Sequence, residues 1–190
     1  IRYQILLGDL YLQAGKKPEA FMVYSKAKSI DPEDPYLISS IAEYYEQTGN
    51  KAAAESELQT VLISPKMDVD TKLAILAKYV GTLQQNQNNT NAANVLFDTL
   101  MIQHPQEPKL NLMYGNLLMM QDKKEDARFQ YRLFAEANPT NPTGWEQLLM
   151  TAFPDSLDLS IKICEEALTY ITDQPQFYFY LGISEYMKDE

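Results

Sequence analysis

Cysteine, histidine and tryptophan each occur once in 190 residues, as Cys164, His104 and Trp145. One cysteine excludes an intrachain disulfide. One histidine and one cysteine leave no His/Cys set for a structural metal site. Basic charge is also short. Lys and Arg number 16 against 26 acids, a net charge of −10, and the basic residues gather only in pairs such as Lys16-Lys17 and Lys123-Lys124. Nucleic acids and anionic membranes are gripped by basic patches, so neither is an expected partner. Long apolar runs are missing: the greasiest stretch, "LAILAKYVGTL", is short and carries Lys78, so no membrane-spanning segment or direct membrane contact is expected. No signal-peptide pattern is present. The chain opens on Ile1 without an initiator Met, and the expectation is a piece of a longer protein whose compartment is not legible here.

Reactive constellations are equally scarce. His104 precedes Pro105 at a helix end and reads as an exposed or capping histidine. No Ser/His/Asp set can be built around it. Cys164 falls at an apolar core position and reads as a buried, inert thiol. The carboxylate pairs Glu43/Glu46 and Glu165/Glu166 read as solvated helix faces rather than an acid/base pair. The seven glycines form no phosphate-cradling loop, since Gly8 and Gly182 lie inside helical patterns. The expectation is no enzyme, no catalytic residue, no cofactor and no metal.

What is present is repetition. "DPEDP" at 31–35, "HPQEP" at 104–108 and "NPTNP" at 138–142 share one proline doublet, and Pro105 and Pro139 are 34 residues apart. Recurrence at such a period marks one structural unit copied along the chain. Small residues repeat in step: Ala20, Ala54, Ala93, Ala127 and Ser160. Four residues after each stands Tyr24, Leu58, Phe97, Tyr131 or Cys164. Seven after stands Ala27, Val61, Leu100, Phe134 or Ala167. That spacing is one face of a helix. Upstream lies another helix, with Leu7-Gly8 and Tyr11, then Ile41-Ala42 and Tyr45, Tyr114-Gly115 and Leu118, and Leu148-Leu149 and Ala152. Leu181-Gly182 begins the pattern again. Gly15 and Gly49 suit a left-handed turn between the two helices. Pro32 and Pro139 end one unit, while Pro35, Pro108 and Pro142 suit the first turn of the next. Gly8 and Ala20 are expected where the helices of a pair cross, with Tyr11 and Tyr24 beside them.

This pattern resembles the tetratricopeptide repeat, over essentially the whole chain. Leu7, Gly8, Tyr11, Gly15, Ala20, Tyr24, Ala27 and Pro32 carry it in the first unit. Tyr114, Gly115, Leu118, Ala127, Tyr131, Phe134 and Pro139 carry it in the fourth, and Trp145 takes the family's aromatic place in the fifth. The resemblance implies an all-α fold: an α-solenoid of stacked antiparallel helix pairs forming a right-handed superhelix, with about eleven helices. The units are expected at 1–34, 35–67, 68–107, 108–141 and 142–173, with a partial one at 174–190, in a single solenoid domain. The third unit is longer, with its first helix extended over roughly 68–84 and a turn holding Asn88-Asn89-Thr90, formally a glycosylation acceptor but read as a polar turn. The fifth has Pro154-Asp155-Ser156 in place of a glycine turn. Apolar residues at both ends (Ile1, Ile5 and Leu6; Phe177, Phe179, Tyr180 and Ile183) read as cut edges of a longer array or as covered surfaces.

The resemblance further implies a concave surface lined by the first helix of each pair, which usually holds a peptide. By position its front is Arg2, Ile5, Asp9, Leu12 and Gln13, then Tyr36, Ser40, Glu43 and Gln47, then Lys78, Tyr79 and Thr82. Its back holds Lys109, Leu112, Met113, Asn116, Met119 and Met120, then Glu146, Gln147, Met150 and Phe153, then Phe179, Tyr180 and Ile183. No register supplies the Lys, Asn and Arg set with which one family variant clamps a C-terminal carboxylate. The front is polar and acidic. The back is rich in Met and aromatics, which suits an apolar peptide or helix groove. The same residues could instead be packing. The expected function is a non-catalytic scaffold binding a protein or peptide partner. The alternatives are a regulatory or substrate-recruiting arm of a larger enzyme, such as a glycosyltransferase, or of a membrane-anchored assembly, and a module that self-associates through its terminal helices.

Overall fold

The computed structural model describes residues 1–86 and 91–189, which form eleven helices. In chain order these are α1 (Arg2–Gln13), α2 (Lys17–Lys28), α3 (Pro35–Thr48), α4 (Lys51–Ile63), α5 (Val69–Asn86), α6 (Asn91–Gln103), α7 (Pro108–Met120), α8 (Lys124–Ala137), α9 (Pro142–Met150), α10 (Leu157–Tyr170) and α11 (Pro175–Asp189). The Asn88-Asn89-Thr90 sequence falls outside the described residues, as does the side chain of Thr82. No described helix is long and apolar enough to cross a membrane. The expected fold class, an all-α solenoid of helix pairs, is the one found.

The proline doublets work as N-terminal signals with a cap just ahead of the second proline. Asp34 accepts a hydrogen bond from the Leu37 amide at 2.8 Å, Glu107 from Lys109 at 3.1 Å and Asn141 from Thr143 at 3.0 Å. Each satisfies an amide that the first helical turn leaves unpaired, while the proline behind it has none to satisfy. Between the helices of the first, second and fourth pairs the chain turns through a left-handed residue. Gly15 has φ +73° and Gly49 φ +84°. In the fourth unit the same place is held by Asp122 with φ +59°, a residue type whose side chain tolerates this region.

The chain forms two compact units, Ile1–Asn86 and Gln87–Glu190. In the first, α1 packs on α2 and α3 on α4, with α3 also against α1 and α2, and α5 against α4. Its core gathers Ile5, Leu12, Ala20, Tyr24, Ala27, Leu37 and Ile41. In the second, α7 packs on α6 and α8, α8 on α9, and α10 on α9 and α11. Its core centres on Tyr131, Trp145, Leu148, Ile163, Cys164 and Phe177.

The small positions of the repeat, Ala20, Ala54, Ala93, Ala127 and Ser160, are all buried. So are the positions seven residues later, from Ala27 to Ala167. The bulky positions are buried too, except Leu58, which is half-buried. The large apolar side chains among them, such as Phe97, Leu100 and Phe134, contribute about 1.5–3 kcal/mol each when fully withdrawn from water.

Two sequence expectations change in the structure. A β-carbon on Gly8 would meet the Tyr24 ring first, so tyrosine occupies the close approach that Ala20 was expected to take. The signature residue Leu7 is exposed. Phe177 is fully buried in the core of the second unit and forms no edge. In addition, α9 stops at Met150, and Ala152 is buried from the turn that follows rather than from the helix.

Candidate protein-recognition surfaces

The first helices α1, α3 and α5 border a cavity of about 430 Å³ in the first unit. Asp9, Leu12 and Gln13 reach it from α1, and Ser39, Ser40, Glu43 and Gln47 from α3. Ile75 and Lys78 come from α5, and Leu58 closes the floor from α4. These residues lie one helical turn apart on their own helices, which is why three helices present them to one space. Most belong to the polar front of the groove expected from sequence.

The charges in this cavity are unevenly matched. Lys78 pairs with Glu43 and lies 3.4 Å from Glu46. Its hydrogen bond holds the Glu43 carboxyl below the usual carboxylate range, against the opposing effect of burial. Burial disfavours the Lys78 charge, but the two glutamates outweigh it and raise its pKa. Gln47 donates to the other Glu43 oxygen at 3.2 Å. Asp9 accepts a 2.7 Å hydrogen bond from the Tyr24 hydroxyl and forms no ion pair among the described residues. Burial, and then this bond to a carboxylate, push the Tyr24 hydroxyl well above its ordinary pKa.

The residues expected to contact a partner separate into three groups. Tyr79 is 4% exposed and donates its hydroxyl to Glu55 at 2.6 Å, so it packs α5 on α4 and offers no surface. Leu112, Met119, Phe153 and Tyr180 are half-buried against the core of the second unit, and Met113 is half-buried. Asn116, Met120, Met150 and Phe179 are exposed.

The repeat-signature residues Tyr11, Pro32 and Pro139 keep some exposure, whereas Gly115 is buried against Tyr131 and Gly182 faces open space.

The candidate reactive groups are otherwise engaged. Glu166 is paired with Arg132, whose guanidinium lies 5.6 Å from the Trp145 ring centre. Burial pushes the Cys164 thiol up to about 11. His104 follows α6, its carbonyl accepting from the Glu107 amide at 3.1 Å. Among the described residues no group of three or more His, Cys, Asp or Glu is placed to hold a metal ion.

One arrangement escaped the sequence reading. Tyr24 bonds to Asp9, and Tyr131 bonds to Asn116 at 2.8 Å. In both cases the acceptor directly follows the glycine under the ring. The signal was visible as Gly-Asp and Gly-Asn, each followed by tyrosine 15 residues after the acidic or amide residue.

Comparison with known proteins agrees with this architecture. Residues 1–34 match the family model described as tetratricopeptide repeat. Human "Protein O-mannosyl-transferase TMTC1" is 24% identical over 143 residues, a match covering 73% of this chain but 16% of that protein. The chain therefore corresponds to about one-sixth of that relative's length. The crystal structure of MamA protein superposes with a TM-score of 0.59 at 15% identity, covering 89% of this chain and 90% of that one. YrrB, described as a TPR protein with an unusual peptide-binding site, gives 0.57 at 14% identity, covering 93% and 89%. Residues 1–34 thus carry the signature of the tetratricopeptide repeat, and the described helices share the all-α helical-repeat fold of these solved structures.

Proposed function

We propose that this chain is a non-catalytic recognition scaffold that holds an extended segment of a partner protein in the cavity bordered by α1, α3 and α5. The observation that carries this is the cavity itself, a concave space of about 430 Å³ walled by polar side chains from three successive first helices. Polar walls satisfy the backbone and polar side chains of an extended peptide, while Leu12, Leu58 and Ile75 supply apolar contact. A related fold, YrrB, is described as having a peptide-binding site. The buried thiol and the paired glutamates support a chain that does no chemistry of its own. In the second unit the exposed Met120, Met150 and Phe179, with Asn116, form a separate apolar surface on the same reading.

The test is display selection of random peptides on the folded protein, followed by affinity measurement on wild type and on Ser40→Tyr, which fills the cavity. Selected peptides should lose at least about tenfold in affinity, roughly 1.4 kcal/mol, with helicity unchanged. Peptides that bind Ser40→Tyr as well as wild type would move recognition elsewhere. Met113→Glu/Met120→Glu makes the same test of the apolar surface.

A second reading is favoured by the likeness to an O-mannosyl-transferase. On it, this segment is the recruiting arm of a larger enzyme, and its groove presents a protein substrate to a catalytic domain. Fusing the chain to an unrelated transferase should then redirect modification toward proteins it binds.

A further inference from the structure

We propose that Asp9 is the anchor for a cationic side chain, arginine or lysine, of the segment held in the first unit's cavity. This rests on the cavity being the recognition site. The charge of Asp9 is not needed for packing. Its one hydrogen bond, from Tyr24, is a packing device, and the second unit builds the same device with a neutral residue, Asn116 under Tyr131. An amide is therefore sufficient to receive the tyrosine hydroxyl. The negative charge at residue 9 is surplus to that task.

Among the described residues lining the cavity, none pairs with this charge. Lys78 is the cation on its wall, and it is already shared between Glu43 and Glu46. Asp9 has no ion pair among the described residues, and Tyr24 engages only one of its oxygens. The second oxygen receives no hydrogen bond among the described residues. Gln13, one turn further along α1, and Ser40 and Gln47, across the cavity on α3, add polar atoms. A carboxylate in a half-enclosed space with neutral polar neighbours is complementary to a guanidinium or ammonium group, which brings both donors and charge. The enclosure strengthens the attraction relative to open water.

The test uses two probes, the tripeptide amide N-acetyl-Gly-Arg-Gly and its citrulline analogue, which keeps the shape and loses the charge. Each is titrated into isotopically labelled protein while amide resonances are followed. The arginine probe should shift Asp9, Gln13 and Ser40, with an effect that weakens as salt is raised. Citrulline should bind at least about tenfold more weakly. Asp9→Asn should remove this preference while melting like wild type, since Asn116 shows that asparagine serves the packing role. Equal shifts by both probes at these residues would overturn the cationic anchor and leave the cavity as the recognition site. Shifts confined to other surfaces, or none, would overturn both. A preference for arginine that persists in Asp9→Asn would place the anchor at another carboxylate and so overturn the assignment to Asp9.

Discussion

The ring of Tyr24 lies where a β-carbon on Gly8 would have to stand: its Cε1 is 2.3 Å from that position. The fourth unit repeats the relationship, with Tyr131 Cε1 2.4 Å from the same position on Gly115. No side chain fits there unless a buried, hydrogen-bonded ring moves. Gly182 occupies the equivalent place on α11 and has nothing within 4 Å. Alanine should therefore act in opposite directions at equivalent positions. Gly8→Ala and Gly115→Ala should each destabilise by about 1–3 kcal/mol through overpacking. Gly182→Ala should be neutral or stabilising by up to about 1 kcal/mol, because helix propensity alone changes. Urea melts of the three variants decide this, and a destabilised Gly182→Ala would contradict it.

The tyrosine hydroxyls make a smaller contribution that can be separated from the rings. Tyr24→Phe and Tyr131→Phe keep the packing and lose the bonds to Asp9 and Asn116. Each should cost about 0.5–1.5 kcal/mol. Truncation to alanine opens a cavity and should cost about 3–5 kcal/mol. Phenylalanine variants as unstable as the alanine ones would mean that the hydroxyl, not the ring, holds these helices together.

Cys164 should be silent in the native protein. It is fully buried, and burial followed by the neighbouring Glu165 charge pushes its thiol up to about 11, so thiolate is scarce at neutral pH. Ellman's reagent at pH 8 should label it only as the protein unfolds, in step with the fluorescence of Trp145, which shares its core. Rapid labelling of native protein would show that the site opens independently.

Glu43 predicts a pH dependence of definite sign. Its folded pKa lies below the ordinary 4.5, first because Lys78 donates to it. The stabilisation is therefore present above the unfolded value and lost as the pH falls from about 4.5 through the folded value. The pair is substantially exposed, so its worth should be at most about 1 kcal/mol. Thermal melts of wild type and Glu43→Gln should differ at pH 7 and converge in acid. A gap that stayed constant into acid would assign the effect to packing.

Much of this was legible in the sequence because a repeat is built from local chemistry. The 3.6-residue periodicity, the prolines at first helical turns and the left-handed glycines are set by the backbone of each unit. They sufficed to place the helices and the all-α repeat fold. Burial was a different matter, because a groove-facing position is open only if no neighbouring helix covers it. Tyr79 and Phe177 looked available and are packed away.

The sequence by itself determined the helices, their pairing and the small residues that let them approach, since those depend on residues a few places apart. Only the tertiary structure decided which carboxylates were matched. Asp9, Glu43 and Lys78 come from three different helices of the first unit. Packing alone brought them to one cavity, giving Lys78 to Glu43 and Glu46 and leaving Asp9 with a tyrosine hydroxyl.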